Sequence, residues 1–205
     1  MRDPYLYEGT ETLINLFDER DENRLKDIEA NYVGLRLRQL IDNPIKGAFD
    51  FDHLCKIHHY IFQDIYEWAG KQRIINIEKP EAALSGVSIE YSDTVNIEKD
   101  GIEACEKMRS IEWDKLNKDQ KADIFSQCIA KIWKVHPFRE GNTRTIINFF
   151  CDFVEYKGFS LNIDIFKDNS VYFRRALVAA SAVFKDLGDL SQSQHLRNFI
   201  FDTIK

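Results

Sequence analysis

Most of the chain repeats its hydrophobic residues at the helical period of about 3.6 positions. In the first such segment the apolar stripe consists of Leu25, Ile28, Tyr32 and Leu35. The same period recurs over Asp21–Leu40, Phe51–Trp68, Ile97–Ile111, Lys118–Val135, Asn142–Tyr156, Asp168–Phe184 and Leu190–Ile204. The pattern therefore predicts an all-α protein built from these helices.

One stretch departs from the helical period. Arg73–Ile77 and Val87–Tyr91 are short and rich in β-branched residues, and Pro80 and Gly86 lie between them. Such a pattern is typical of two strands joined by an irregular turn. We therefore predict a β-hairpin inserted into the helical protein, over residues 73–91.

Length and composition narrow the class of protein. With 205 residues, no internal repeat and no linker, the chain is expected to form a single domain over residues 1–205, which needs no metal or disulfide to complete its core. No apolar run approaches the roughly 20 residues of a membrane helix, so we expect no membrane contact. The net charge of −6 argues against a nucleic acid as partner.

The four cysteines indicate the compartment. Cys55, Cys105, Cys128 and Cys151 are isolated within helical patterns and form no Cys-x-x-Cys pair. They are expected to be buried free thiols, as in proteins of a reducing compartment. The cysteine pattern therefore indicates a cytoplasmic protein.

The densest group of chemically useful residues is the motif loop, residues 136–144, which reads His-Pro-Phe-Arg-Glu-Gly-Asn-Thr-Arg. A helix is predicted to begin at Asn142, and the free N–H groups of a helix N-terminus bind phosphate. Gly141 permits close approach of the backbone, and Arg144 adds a guanidinium group for phosphate oxygens.

Two further side chains of this loop suit phosphate chemistry. Glu140, beside bound phosphates, suits a magnesium ion, which takes few protein carboxylates and shares phosphate oxygens. His136 suits removal of a proton from an attacking hydroxyl. The plain alternative is a structural helix–loop–helix turn, and for any one of these residues alone it is the better interpretation. Together they assemble a base, a metal ligand and an anion site within nine positions.

The motif loop resembles the signature of the Fic (filamentation induced by cAMP) family, His-Pro-Phe-x-[Asp/Glu]-Gly-Asn-Gly-Arg-x-x-Arg. Residues 64–73 are similar to the segment that precedes the family's flap, and residues 9–15 to toxin-like and effector-like members. The resemblance implies an all-α Fic fold, a helical bundle with a β-hairpin flap over the active site. It also implies AMP transfer from ATP to a hydroxyl of a target protein, with Mg²⁺.

The resemblance assigns a role to each matching residue. His136 would be the general base, Glu140 the magnesium ligand and Arg144 the ligand of the β-phosphate. The phosphate nest would consist of Gly141, Asn142 and Thr143. Tyr172 falls in a region that lines the nucleotide in the family. The target protein would pair with the flap through Ile74, Ile75, Asn76 and Ile77.

Two positions depart from the family signature. Thr143 stands where the signature has Gly, so its backbone is expected to be helical, and its hydroxyl is free to contact phosphate. Ile147 stands where the last Arg holds the γ-phosphate, and Asn148 and Arg139 are candidates to replace it. The alternative function is a degenerate Fic domain that binds a nucleotide or a partner protein and transfers weakly.

A self-inhibiting segment is also expected to be missing. Many Fic proteins carry [Ser/Thr]-x-x-x-Glu-[Gly/Asn] on an inhibitory helix. The two nearest matches here fail, because Lys99 follows Glu98 in one and Arg197 replaces the Glu in the other. We therefore expect one of two situations: a separate, small, antitoxin-like protein restrains the chain, or the chain is unrestrained and kept slow by the loss of the Arg at Ile147.

Overall fold

The structure, a computed structural model, describes residues 3–205. Within that range lie eight α-helices: α1 Glu22–Asp42, α2 Phe51–Phe62, α3 Ile97–Arg109, α4 Lys118–Val135, α5 Asn142–Tyr156, α6 Ile163–Asp168, α7 Ser170–Ala180 and α8 Gln194–Thr203. Two short 3₁₀ helices are Ala82–Leu84 and Trp113–Lys115, and one two-stranded ladder pairs β1, Val183–Phe184, with β2, Gly188–Asp189. The predicted all-α class is confirmed.

Helices α4 and α5 begin and end at the predicted residues, because each has a clear start signal. Asn117 caps α4, and its side chain and that of Gln120 each accept a backbone N–H of the other. Gly141 precedes α5 with a left-handed backbone, φ 82°. These two helices carry the motif loop between them.

Other predicted boundaries were wrong. Helix α2 ends at Phe62, six residues early. The helix predicted over Asp168–Phe184 is the shorter α7, Ser170–Ala180; the unpredicted helix α6 precedes it, and the β1–β2 hairpin follows it. Gly188 enables that hairpin turn, since its φ is +76°.

The stripe predicted for α1 is only partly correct. The buried residues of α1 are Leu25, Val33 and Leu40, whereas Tyr32 and Leu35 are 38% and 44% exposed. The buried face of α1 is therefore rotated by about one residue relative to the predicted stripe. Tyr32 instead packs against Phe17 on the surface.

The flap, residues 73–91, does not form the two predicted strands. A single antiparallel bridge joins Pro80 and Ser88, and the tip contains the short 3₁₀ helix. A reason lies at the base of the flap, where the Arg73 guanidinium donates to the carbonyl oxygens of Ile75 and Ser92. These side-chain bonds hold the two ends of the flap together in place of a regular ladder.

The core surrounds α4, which packs against α3, α5 and α8. Its largest fully buried rings include Trp113, Phe125, Trp133, Phe149, Phe150 and Phe153. Helices α2 and α3 approach closely at Gly101, where an added Cβ would lie 2.4 Å from the Phe51 ring. The motif loop is therefore anchored on both sides to the most rigid part of the molecule.

The cysteines are free, as predicted: Cys105, Cys128 and Cys151 are buried and Cys55 is partly buried. Burial raises the pKa of the Cys128 thiol to about 11 and that of Cys105 to about 12. Both thiols therefore stay protonated and unreactive at neutral pH. Among residues 3–205, no helix has the length and apolar character required to cross a bilayer.

Candidate active site

The motif loop is closed by its own side chains. Helix α4 ends at His136, whose left-handed backbone (φ 47°, ψ 58°) turns the chain sharply. The Asn142 side chain then binds both backbone groups of Phe138, accepting its N–H at 3.0 Å and donating to its carbonyl at 2.8 Å. Asn142 therefore shapes the loop with its side chain, and only its backbone N–H faces a ligand.

The start of α5 leaves backbone donors free for an anion. Gly141 is the N-cap residue, and no side chain among those the structure describes caps this helix. An added Cβ at Gly141 would lie 2.3 Å from the Phe62 ring, and its φ of +82° disfavours other residues as well. The first-turn N–H groups, including that of Thr143, together with the helix dipole, form an anion site.

Glu140 is a partly buried carboxylate that stays charged. Its Oε1 accepts the Gly141 N–H at 2.9 Å, and its Oε2 lies 3.0 Å from the Lys79 Nζ. Burial alone would raise the pKa of Glu140, but Lys79, the Gly141 N–H and Arg144 together hold that pKa at about 2. A charged carboxylate beside an anion site fits a divalent cation. The Lys79 ammonium group already lies next to the Glu140 carboxylate, which stabilises a positive charge at that position.

His136 is buried and its ring makes no hydrogen bond. Both ring nitrogens lack a partner within residues 3–205. The ring stacks on Tyr91, with centroids 4.0 Å apart, and meets the edge of Trp133. Burial, followed by the positive charge of Lys79, lowers the pKa of His136 well below its ordinary value. The imidazole is therefore neutral and able to accept a proton.

A cavity of about 330 Å³ joins these groups. It is lined by Lys79, His136, Glu140, Gly141, Asn142, Thr143, Arg144, Ser170, Val171 and Arg174. Every motif residue that the sequence singled out for a site is thus part of one cavity. Sequence reasoning missed the two cations that close its other sides, Lys79 of the flap and Arg174 of α7. The sequence offered no signal for them beyond their charge, since neither is near the motif loop along the chain.

Arg144 is held by the first helix. Its Nη1 lies 2.6 Å from the Glu29 carboxylate, and its guanidinium lies over the Phe62 ring. The other Glu29 oxygen accepts the Tyr66 hydroxyl at 2.5 Å. Helix α1 therefore fixes the direction of a guanidinium group at the edge of the cavity.

The two departures from the family signature have different surroundings. Thr143 is helical, as expected, and its Oγ1 accepts the indole N–H of Trp133 at 3.0 Å. Ile147 instead lines a separate apolar cavity of about 240 Å³, together with Asn148. Arg139 pairs with Asp3 at 2.8 Å. Neither proposed replacement for the missing Arg therefore lines the motif cavity.

Tyr172 is not brought to this cavity. On α7 the cavity is lined by Ser170, Val171 and Arg174. Tyr172 points away, with its ring 5.9 Å from that of Phe199 and its hydroxyl near His195. Residues 170, 171 and 174 share one face of a helix of about 3.6 residues per turn, so the intervening Tyr172 lies outside that face.

The flap residues line a second, larger cavity. Ile74, Ile75, Asn76 and Ile77 all border a space of about 660 Å³ beside the motif cavity. Lys79 lines both spaces. Within the described chain, the backbone N–H groups of residues 75–78 have no hydrogen-bond partner. Such an edge can pair with an extended peptide.

His58 is a positioning residue that sequence reasoning missed. Its Nδ1 accepts the Gly70 N–H at 2.8 Å, so its Nε2 donates to the Glu140 carbonyl at 3.0 Å. The ring stacks on Phe138 at 3.7 Å, and burial lowers the pKa of His58 to about 3. Its neutral ring thus fixes the backbone of Glu140.

Comparison with known proteins identifies a matching family and named relatives of this chain. A family model described as Fic/DOC family matches residues 48–153. The chain is 32% identical, over 79% of its length and 80% of the relative, to the "Probable protein adenylyltransferase y4lH" of Sinorhizobium fredii. It is 30% identical to the "Protein adenylyltransferase VbhT" of Bartonella schoenbuchensis, again over 79% of its length, but spans only 33% of that relative.

A solved structure shares the fold. The BepC protein of Bartonella tribocorum, a VirB-translocated effector crystallised with bound AMPPNP, superposes with a TM-score of 0.80. The match covers 98% of this chain and 96% of that one, at 20% sequence identity. At this identity the likeness establishes the fold of the helical bundle that carries the motif loop.

The burial of His136 generates a prediction about its ionisation. Because burial and Lys79 oppose protonation, we expect the ring to remain neutral at pH values below its ordinary pKa of 6.5. The ¹⁵N shifts of its ring nitrogens, followed by NMR as the pH is lowered, measure this directly. The solvent-exposed His195 supplies a comparison signal in the same spectra. A His136 midpoint near 6.5 would contradict the buried, unpaired geometry.

Proposed function

The chain belongs to the Fic/DOC family, and from that premise we propose that it is a protein adenylyltransferase, transferring AMP from ATP to a hydroxyl side chain of a target protein. The observation that carries the proposal is a neutral, buried His136 beside a charged Glu140 and the free start of α5, all on one cavity. Relatives named protein adenylyltransferase support the same activity.

The residues of the cavity suit the steps of this reaction. The α5 N-terminus and Arg144 would hold the phosphates of ATP. A target hydroxyl would attack the α-phosphorus, passing its proton to a ring nitrogen of His136. The new O–P bond forms as the bond from the α-phosphorus to its bridging oxygen breaks, and pyrophosphate leaves with the electron pair. The neutral state of His136 allows it to accept that proton.

Glu140 would hold magnesium in this reaction, since its carboxylate is charged and lies beside the anion site. Magnesium, when bound, would neutralise phosphate charge and orient the leaving group. Lys79 contacts the Glu140 Oε2. Its ammonium group would therefore have to leave that oxygen, and it would then be free to contact phosphate.

The target would bind along the flap. The unpaired N–H groups of residues 75–78 and the neighbouring cavity support recognition of an extended segment by strand addition. A target bound there would lie next to the motif cavity, because Lys79 borders both spaces. We also propose action within the bacterial cytoplasm or after delivery into another cell, and restraint by a small antitoxin-like protein.

Replacement of His136 by Ala tests the proposed base. We expect label transfer from α-³²P-ATP to proteins of a cell extract to fall by about 10²–10⁴-fold, the usual contribution of a positioned base. The affinity for ATP, measured by calorimetry on the same preparation, should change little. His195→Ala, on the exposed face of α8, is the matched control. Undiminished transfer in His136→Ala would remove His136 from the mechanism.

Replacement of Ile147 by Arg tests the missing γ-phosphate contact. We expect the wild type to bind ADP and ATP with similar affinity, because no Arg stands at this position. Ile147→Arg should favour ATP by up to about 1.5–3 kcal/mol, the range for a hydrogen bond to a charged group. Ile147→Met, which fills the same space without charge, is the control. A tenfold ATP preference in the wild type would show that another residue has taken the role.

Replacement of Ile75 by Pro tests target binding along the flap. Proline removes one backbone N–H that we expect to pair with the target. Labelling of extract proteins should therefore fall far more than the affinity for ATP. Ile75→Val keeps the N–H and should behave as wild type. Equal losses of labelling and ATP affinity in Ile75→Pro would assign the flap to the nucleotide instead.

A further inference from the structure

His136 is held in an unusual way for a proton acceptor. Reactive histidines commonly have one ring nitrogen hydrogen-bonded to a group that fixes the ring, leaving the other nitrogen to react. Here neither nitrogen has a partner in the described chain. The orientation of the ring must therefore come from packing.

The backbone of His136 fixes only its Cα. Its carbonyl oxygen accepts the Arg73 Nε–H at 2.9 Å, and its N–H donates to the Trp133 carbonyl at 3.1 Å. These bonds leave the side-chain torsions unrestrained. The ring is instead confined by two aromatic walls, Tyr91 at an interplanar angle of 27° and Trp133 at 88°.

Each wall is anchored from a different part of the molecule. The Tyr91 hydroxyl reaches the Glu81 carboxylate at 3.5 Å, and that buried carboxylate pairs with Arg174 at 2.6 Å. Trp133 is held by its indole N–H, which donates to the Thr143 hydroxyl at the start of α5. The walls thus have fixed positions relative to both the flap and the start of α5.

We propose that Tyr91 is a positioning residue that, together with Trp133, sets the ring orientation of His136 for proton transfer. The proposal rests on the proposed function, since it assumes that His136 is the base. Tyr91 acts through the face of its ring, and its hydroxyl serves only to hold that ring against Glu81. A displaced base costs about 10²-fold in rate even when the substrate still binds.

Two substitutions at Tyr91 separate the ring from the hydroxyl. Tyr91→Phe keeps the stacked ring, and Tyr91→Leu removes it. We expect Tyr91→Phe to keep kcat within a few-fold of wild type. We expect Tyr91→Leu to lower kcat for AMP transfer about 10²-fold while KM for ATP stays within about twofold. Tyr32→Leu, on the surface of α1, is the matched control for loss of a tyrosine.

NMR reports the orientation of the His136 ring without a measurement of catalysis. Ring currents of Tyr91 and Trp133 should shift the ring-proton signals of His136, which are observed by ¹³C-histidine labelling and assigned with His136→Ala. We expect the shift to persist in Tyr91→Phe and, in Tyr91→Leu, to depart from the value that the retained Trp133 ring alone would give in the present geometry. Should Tyr91→Leu fail to fold, Tyr91→Met keeps the bulk of the side chain and makes the same test.

The outcomes separate this proposal from the proposed function. A shift in Tyr91→Leu that departs from the Trp133 value, with selective loss of kcat, supports it. A shift equal to that Trp133 value or an unchanged kcat in Tyr91→Leu overturns it, as does an equal loss of kcat in Tyr91→Phe, which would assign the effect to the hydroxyl. Absence of transfer by the wild type would overturn the proposed function, whereas the shift would still decide whether Tyr91 orients the ring.

Discussion

The buried guanidinium of Arg73 is the interaction on which the site depends. Only 2% of this residue is exposed, and its donors bind the carbonyl oxygens of His136, Ile75 and Ser92. A buried charge without such bonds would be strongly destabilising, so the three carbonyl groups offset its loss of hydration. One side chain thereby fixes both ends of the flap to the loop that carries the base.

Around that anchor, opposite charges are paired across the cavity. Lys79 lies on Glu140, Arg174 on Glu81 and Arg144 on Glu29. Each pair joins a different element to the site, so each of these charges is balanced by a nearby partner. A phosphate group entering the cavity would compete with these carboxylates for the same cations. Phosphate binding in the cavity would therefore be linked to the positions of the flap and of α1.

The sequence predicted what depends on local signals. Helices α4 and α5 were placed to the residue because Asn117 and Gly141 mark their starts, and the motif residues lie on one cavity because they are neighbours in one short loop. The predicted strands of the flap do not form; the Arg73 side chain, buried by tertiary contacts, instead binds carbonyl oxygens at the base of the flap. Lys79 and His58 reach the loop only through tertiary contacts, which no spacing rule contains.

The two departures from the family signature have different physical consequences. Thr143 adds a hydroxyl that binds Trp133, and Trp133 forms one wall around His136. The anion site and the base are therefore connected through a bond that glycine could not make. Ile147 adds no such contact and lies in apolar surroundings next to Arg144. Thr143 thus reinforces the geometry around His136, whereas Ile147 lies in apolar surroundings and does not line the cavity that contains His136.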